Sequence, residues 1–119
     1  MVGEQNEFLR DVCQLITKAQ DMGFQVSGGE LFRTAEQQDI YFKTGKSKTM
    51  NSLHLNRLAI DLNFFKDGKQ VTDKESLCQV GNFWESLDPK NSWGGNGKTF
   101  VDTPHFSRGT DKPEFPRAT

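Results

Sequence analysis

The sequence predicts an α+β fold in which two or three helices pack on a small, mainly antiparallel sheet, and three observations carry that reading. Apolar residues recur at helical spacing near the N-terminus and again before Asp88. Between these stretches, Leu58, Ile60, Leu62 and Phe64 alternate with Ala59, Asp61 and Asn63, the period of a strand buried on one side. An Asp-Gly pair, Asp67-Gly68, then separates two strand-like segments at hairpin spacing.

Taken in order, Phe8, Leu9, Val12, Cys13, Leu15, Ile16 and Ala19 give an amphipathic helix from about Gln5 to Gln20, ended by Gly23. Phe24-Gln25-Val26 reads as a short strand and Gly28-Gly29 as a turn. Thr34-Ala35-Glu36-Gln37 fits a capping box that opens a second helix running to about Phe42, with Arg33 just outside its first turn. After the central strand and the Asp67-Gly68 hairpin, Thr72-Asp73-Lys74-Glu75 forms another capping box. Leu77, Val80, Phe83, Trp84 and Leu87 supply the apolar side of a third helix, which Asp88-Pro89 breaks. Trp93-Gly94-Gly95 lies in a glycine-rich loop, and Phe100-Val101 is the expected last strand, leading to Asp102.

A chain of 119 residues is one domain with a small core. Residues 1–107 are expected to form it and 108–119 a tail, since that end has two prolines and no periodicity. Apolar residues make up 34% and mean hydropathy is -0.70, so the core leans on ten Phe and two Trp. Fifteen basic and sixteen acidic residues leave a net charge of -1, which gives nucleic acid no electrostatic footprint. No apolar run approaches the roughly 18 residues of a membrane span, so no membrane insertion is expected. The first residues lack the basic region and apolar stretch of a signal peptide, which points to synthesis in the cytoplasm. Cys13 and Cys78 form no metal or redox motif; Cys13 is expected to be buried, and pairing of the two stays open. Gly45-Lys46-Ser47 and Gly97-Lys98-Thr99 look like phosphate loops, but the required earlier glycine is Ile40 or Ser92.

Chemistry concentrates around the two histidines. Ser52-Leu53-His54 runs on to Asp61, and Asp102-Thr103-Pro104 precedes His105. Two His and one carboxylate with an open fourth position is a ligand set that catalytic zinc sites use. His54 and Asp61, seven apart, fall on opposite sides of a straight strand, so sharing one metal requires a bend, for which Asn56-Arg57 is the place. Pro104 favours a loop or strand end at His105. One zinc ion on His54, Asp61 and His105 is therefore expected. Asp102 beside it is either the base or an outer partner that orients a histidine. Trp93 either covers the core or lines the substrate cleft.

These motifs together resemble the zinc peptidases of bacterial cell-wall peptides, a family of D-Ala-D-Ala carboxypeptidases, dipeptidases and phage L-alanyl-D-glutamate endopeptidases. The resemblance runs from about Val26 to Phe106. It includes Phe32-Arg33-Thr34, Ser52-x-His54, Ala59-Ile60-Asp61-Leu62, Trp84-Glu85, Trp93-Gly94-Gly95 and Asp102-x-Pro104-His105-Phe106. It implies a fold like that of the D-Ala-D-Ala peptidases and the Hedgehog signalling domain, and a monomer whose partner is the peptidoglycan stem peptide. Arg33, Ser52 and Trp93 would bind substrate, the arginine through a carboxylate or the tetrahedral oxyanion, and Asp102 would be the general base. Carboxypeptidases of the family typically carry Glu-x-x-His, whereas the phage endopeptidases resemble the Asp-x-x-His seen here. That favours an endolysin cutting the L-alanyl-D-glutamate bond, reaching the wall after holin-type release. The alternatives are a D-Ala-D-Ala carboxypeptidase and a non-catalytic zinc-containing binding module. Arg57 departs from the family, where many relatives carry glycine.

Overall fold

The computed structural model describes residues 2–45, 53–98 and 100–109. Three helices accompany a five-stranded sheet whose pairings are all antiparallel, the α+β arrangement that the alternation of helical and strand periods predicts. Helix α1 (Val2–Asp21) buries Phe8, Val12, Leu15 and Ala19, a stripe at spacings of three and four. That stripe is narrower than expected: Leu9 and Cys13 are exposed, and both cysteines are free thiols.

Strand β1 (Gln25–Gly28) includes the first glycine of the expected turn. Helix α2 (Ala35–Lys43) begins where the capping box places it, with the Thr34 hydroxyl accepting from Gln37 N at 3.1 Å. A 3-10 turn, Leu53–Asn56, leads into strand β2 (Ala59–Lys66). Asp67 (φ 53) and Gly68 (φ 78) make the left-handed pair of a tight hairpin into β3 (Lys69–Val71). Helix α3 (Lys74–Leu87) is capped by Asp73, whose carboxylate accepts from Ser76 N at 2.8 Å, and not by Thr72 as the capping box suggested.

Two corrections concern the last third of the chain. Phe100 and Val101 are not in a strand; the final strand among the described residues is β5 (His105–Arg108), and it pairs with a short strand the periodicity did not reveal, β4 (Asn91–Trp93). All four residues of β5 are buried, so the domain runs at least through Arg108 and the expected boundary after residue 107 cuts a strand. Residues 110–119 lie outside the described residues.

Strand β2 organises the sheet. Residues Leu62 to Phe65 pair antiparallel with β1, Phe64 to Lys66 with β3, and Ala59 to Asp61 with β5. The core sits between the sheet and α1 and α3, where Phe8 meets Trp84 edge to face at 5.6 Å and Phe106 meets Trp84 at 6.0 Å and Phe64 at 5.9 Å. Trp84 Nε1 lies 3.2 Å from both the Ser92 and the Ser107 carbonyl, which ties α3 to β4 and β5. Arg108, only 4% exposed, reaches from β5 to Glu4, Glu7 and Asp11 of α1 and to Asp88. No helix among the described residues is long and apolar enough to cross a membrane.

Candidate active site

The sheet register sets two of the expected ligands side by side. Asp61 of β2 and His105 of β5 are directly opposed in the antiparallel pair, so their side chains leave the same side of the sheet. His54 comes from the 3-10 turn that precedes β2, and the chain bends after it at Arg57, which takes φ 59. The bend expected at Asn56-Arg57 is therefore what brings His54 over Asp61.

Asp61 Oδ1 lies 3.5 Å from His54 Nε2 and 3.5 Å from His105 Nδ1. Both separations are longer than a good hydrogen bond, and Oδ1 is buried with no hydrogen-bond partner among the described residues. A buried carboxylate oxygen left in that condition is costly unless a cation meets it. The spacing fits a tetrahedral zinc site, in which N and O ligands at about 2.0–2.1 Å from the ion stand roughly 3.3–3.4 Å apart. The three ligand atoms lie within 4.8 Å of one another, and Asp102 is not part of the group.

Second contacts orient these groups. His54 is 1% exposed, and its Nδ1 sits 2.9 Å from the Leu31 carbonyl. Donation there commits the proton to Nδ1 and leaves the Nε2 lone pair toward Asp61. The segment Gly29 to Arg33 binds both ligand backbones. Gly29 N donates to Asp61 O at 2.7 Å, Asp61 N to Glu30 O at 2.9 Å, and Arg33 N to His54 O at 3.1 Å. Burial raises the Asp61 carboxyl, but His105 and His54 outweigh it and hold the group well below the usual carboxylate range.

Asp102 is half-buried on the loop between the glycine-rich turn and β5. Burial pushes its carboxyl up, opposed by His105, reinforced by the Asp61 charge, and opposed again by His54 and Arg33. A carboxylate whose proton affinity is raised in this way is suited to accept a proton. Gly94 explains the loop's position: a Cβ there would sit 2.3 Å from Asp102 O and 2.9 Å from His105 Cβ, so only glycine lets the loop pack so close. Gly94 O accepts from Asp102 N at 3.0 Å.

One expected substrate contact is placed differently. Trp93 does not line a cleft; it is 2% exposed, its Nε1 donates to Thr103 O at 2.9 Å and its N to Glu85 Oε2 at 3.0 Å. It covers the core and anchors the loop that carries Asp102. Arg33 is 8% exposed, with Nε and Nη2 donating to Glu30, Nη1 donating to Gln38 Oε1, and its guanidinium 4.7 Å from the Tyr41 ring centre. Its positive charge favours the ionised form of Asp102. Ser52 lies outside the described residues. Glu30 and Gln38 follow no periodic pattern that marks them as partners of Arg33; Gln38 is the one buried residue of α2, among exposed and half-buried neighbours, and only the fold reveals it.

Comparison with known proteins agrees with this geometry. A family profile described as D-alanyl-D-alanine carboxypeptidase matches residues 45–108, more than half of the chain. An L-alanyl-D-glutamate peptidase of Listeria phage A118 is 33% identical over 95 residues, covering 78% of this chain. The chain spans about a third of that relative, 34% of its length. The crystal structure of the Serratia marcescens L-Ala D-Glu endopeptidase ChiX shares the fold, with a TM-score of 0.67 over 92% of this chain and 89% of that one at 24% identity. The matched region includes His54, Asp61, Asp102 and His105, and on that match the chain belongs to the D-alanyl-D-alanine carboxypeptidase family, whose peptidases are zinc-dependent in general.

Proposed function

We propose that this chain is a zinc peptidase of the endolysin type that hydrolyses the L-alanyl-D-glutamate bond of peptidoglycan stem peptides. The observation that carries the reading is the buried Asp61 Oδ1, without a hydrogen bond and 3.5 Å from a nitrogen of each histidine. The choice of bond is supported by the names of the phage and Serratia relatives and by an aspartate at position 102.

His54 Nε2, Asp61 Oδ1 and His105 Nδ1 would hold the zinc, and the chemistry it supplies there is Lewis acidity, which polarises a peptide carbonyl and lowers the pKa of water toward about 7. Asp102 accepts the proton of the attacking water on its carboxylate and delivers it to the leaving amine of the D-glutamate residue. Arg33, fixed by Glu30 and Gln38, directs its remaining N–H groups and its positive charge at the negative charge that develops on the scissile oxygen. Trp93 and Gly94 act at one remove, by fixing the loop that presents Asp102. Ser52 is assigned to substrate binding on the resemblance alone.

The test is the turbidity of permeabilised Gram-negative cells, or of purified peptidoglycan, incubated with the protein. Clearing that a chelator abolishes and added zinc restores is the expected result. Binding to the wall without clearing, at any zinc level, would favour a non-catalytic module and contradict the reading.

A further inference from the structure

A peptidase of stem peptides meets several carboxylates in its substrate, and Arg33 is poorly placed to pair with them. Three of its nitrogens already donate to Glu30 and Gln38, and at 8% exposure the N–H groups left over suit one oxyanion better than a carboxylate approaching from solvent.

Arg57 is placed in the opposite way. It is exposed, and among the described residues no carboxylate lies within ion-pair distance of it. Its guanidinium carbon lies 4.1 Å from the ring centre of Phe32, itself 44% exposed. Stacking on the ring covers one face of the guanidinium and leaves its N–H edge outward, the edge that takes a carboxylate through two parallel hydrogen bonds. Both residues are fixed to the turn that carries His54. The His54 carbonyl accepts from Arg57 N at 3.3 Å and from Arg33 N at 3.1 Å, while His54 Nδ1 faces the Leu31 carbonyl, so Phe32 lies between two residues bonded to His54. Arg57 also adopts φ 59, a left-handed conformation in which a bulky side chain is strained and glycine is not. Local strain at an exposed cation with no carboxylate partner among the described residues, beside the turn that carries His54, is the kind of feature found at functional sites.

We infer that Arg57, braced on Phe32, is a substrate subsite on the His54 side of the centre and binds a free carboxylate of the stem peptide. The inference rests on the peptidase reading above and assigns that site a second cationic contact.

The experiment compares wild type with Arg57→Gly and Arg57→Lys on soluble stem peptides, either with free carboxylates or with those carboxylates amidated. Arg57→Gly is expected to melt at or above the wild-type temperature and to keep its zinc, because glycine is at ease at φ 59. Its KM for the free-carboxylate peptide rises about tenfold, the scale of one charge-assisted hydrogen-bonded contact, with kcat nearly unchanged. Arg57→Lys falls between the two, and on amidated peptides all three converge. Equal KM values on the free-carboxylate peptide overturn the inference. An equal loss on the amidated peptide also overturns it, because the effect would then be one of shape. If wild type cleaves neither peptide, the peptidase reading fails by itself. Calorimetric titration of the uncleaved peptides into the same three proteins then decides the subsite: tighter wild-type binding of the free-carboxylate form upholds it, and equal affinities overturn it.

Discussion

Adding one methyl group at Gly29 tests whether the segment from Gly29 to Arg33 sets the position of Asp61. A Cβ at Gly29 would stand 2.9 Å from Asp61 O and 3.1 Å from Asp61 Cβ, against the about 3.5–4.0 Å at which non-bonded carbons rest. Several tenths of an ångström must be yielded, and the atoms that must yield are the backbone and Cβ of a proposed metal ligand. The displacement also strains the 2.7 Å hydrogen bond from Gly29 N to Asp61 O. Overpacking of this kind costs about 1–3 kcal/mol, and for a domain of this size each kcal/mol lowers the melting temperature by about 4 °C. Zinc affinity should fall by about 10- to 100-fold, as when the outer support of a ligand is lost. Gly28→Ala is the control, since a Cβ there meets nothing within 4 Å and neither glycine has positive φ. Chelator-competition titration reads zinc affinity, and thermal melts of the metal-free forms separate the fold from the metal. Wild-type zinc affinity in Gly29→Ala would refute the reasoning, as would equal losses in both variants.

The remaining expectations concern charge. Asp102→Asn should keep zinc and fold while cleavage falls by about 100- to 10,000-fold, whereas Asp61→Asn should lose zinc because an anionic ligand becomes a neutral amide; side-by-side metal analysis and cleavage assays check both. In the metal-free protein, NMR titration should find the Asp102 carboxyl above the ordinary aspartate range, and zinc should bring it down by offsetting the Asp61 charge. The sign is that of a raised carboxyl: its charged form burdens the metal-free fold at neutral pH, and the burden lifts as pH falls through the raised pKa. Arg108→Met should cost about 1–3 kcal/mol, read by urea melts, because charge-assisted bonds of a buried guanidinium are lost. Arg108 holds the Glu4 carboxyl below its usual range, so that part of the link between α1 and β5 is present above the unfolded pKa of Glu4 and lost as pH falls through the folded one. The acid sensitivity of wild type should accordingly be reduced in Arg108→Met.

Much of this arrangement follows from local pattern. The stripe of α1, the cap at Thr34, the Asp67-Gly68 hairpin and the bend before β2 are each governed by residues near one another in the chain, and each is where periodicity places it. His54 and Asp61 would fall on opposite sides of a straight strand, and the 3-10 turn at Leu53–Asn56 with the bend at Arg57 brings them together. The end of the chain was misread for a physical reason. Ser107 and Arg108 are polar by composition yet buried, because Ser107 O meets the Trp84 indole and Arg108 meets the carboxylates of α1. Such burial depends on partners far away in sequence, whereas Phe100 and Val101 are apolar yet exposed at 41% and 54%. Trp93 moved from cleft to core through the same dependence on distant partners, whereas Glu30, only three residues from Arg33, went unnoticed because it lies in a loop with no periodic pattern to mark it.

Mass spectrometry of digested peptidoglycan tests the central claim most directly, run with wild type, with His54→Ala and with chelator. Stem peptides that newly begin at D-glutamate and muramyl chains that newly end at L-alanine are expected, with none formed by His54→Ala or after zinc removal. Release of terminal D-alanine alone would assign the site to a carboxypeptidase, and unchanged digestion by zinc-free His54→Ala would contradict the metal centre itself.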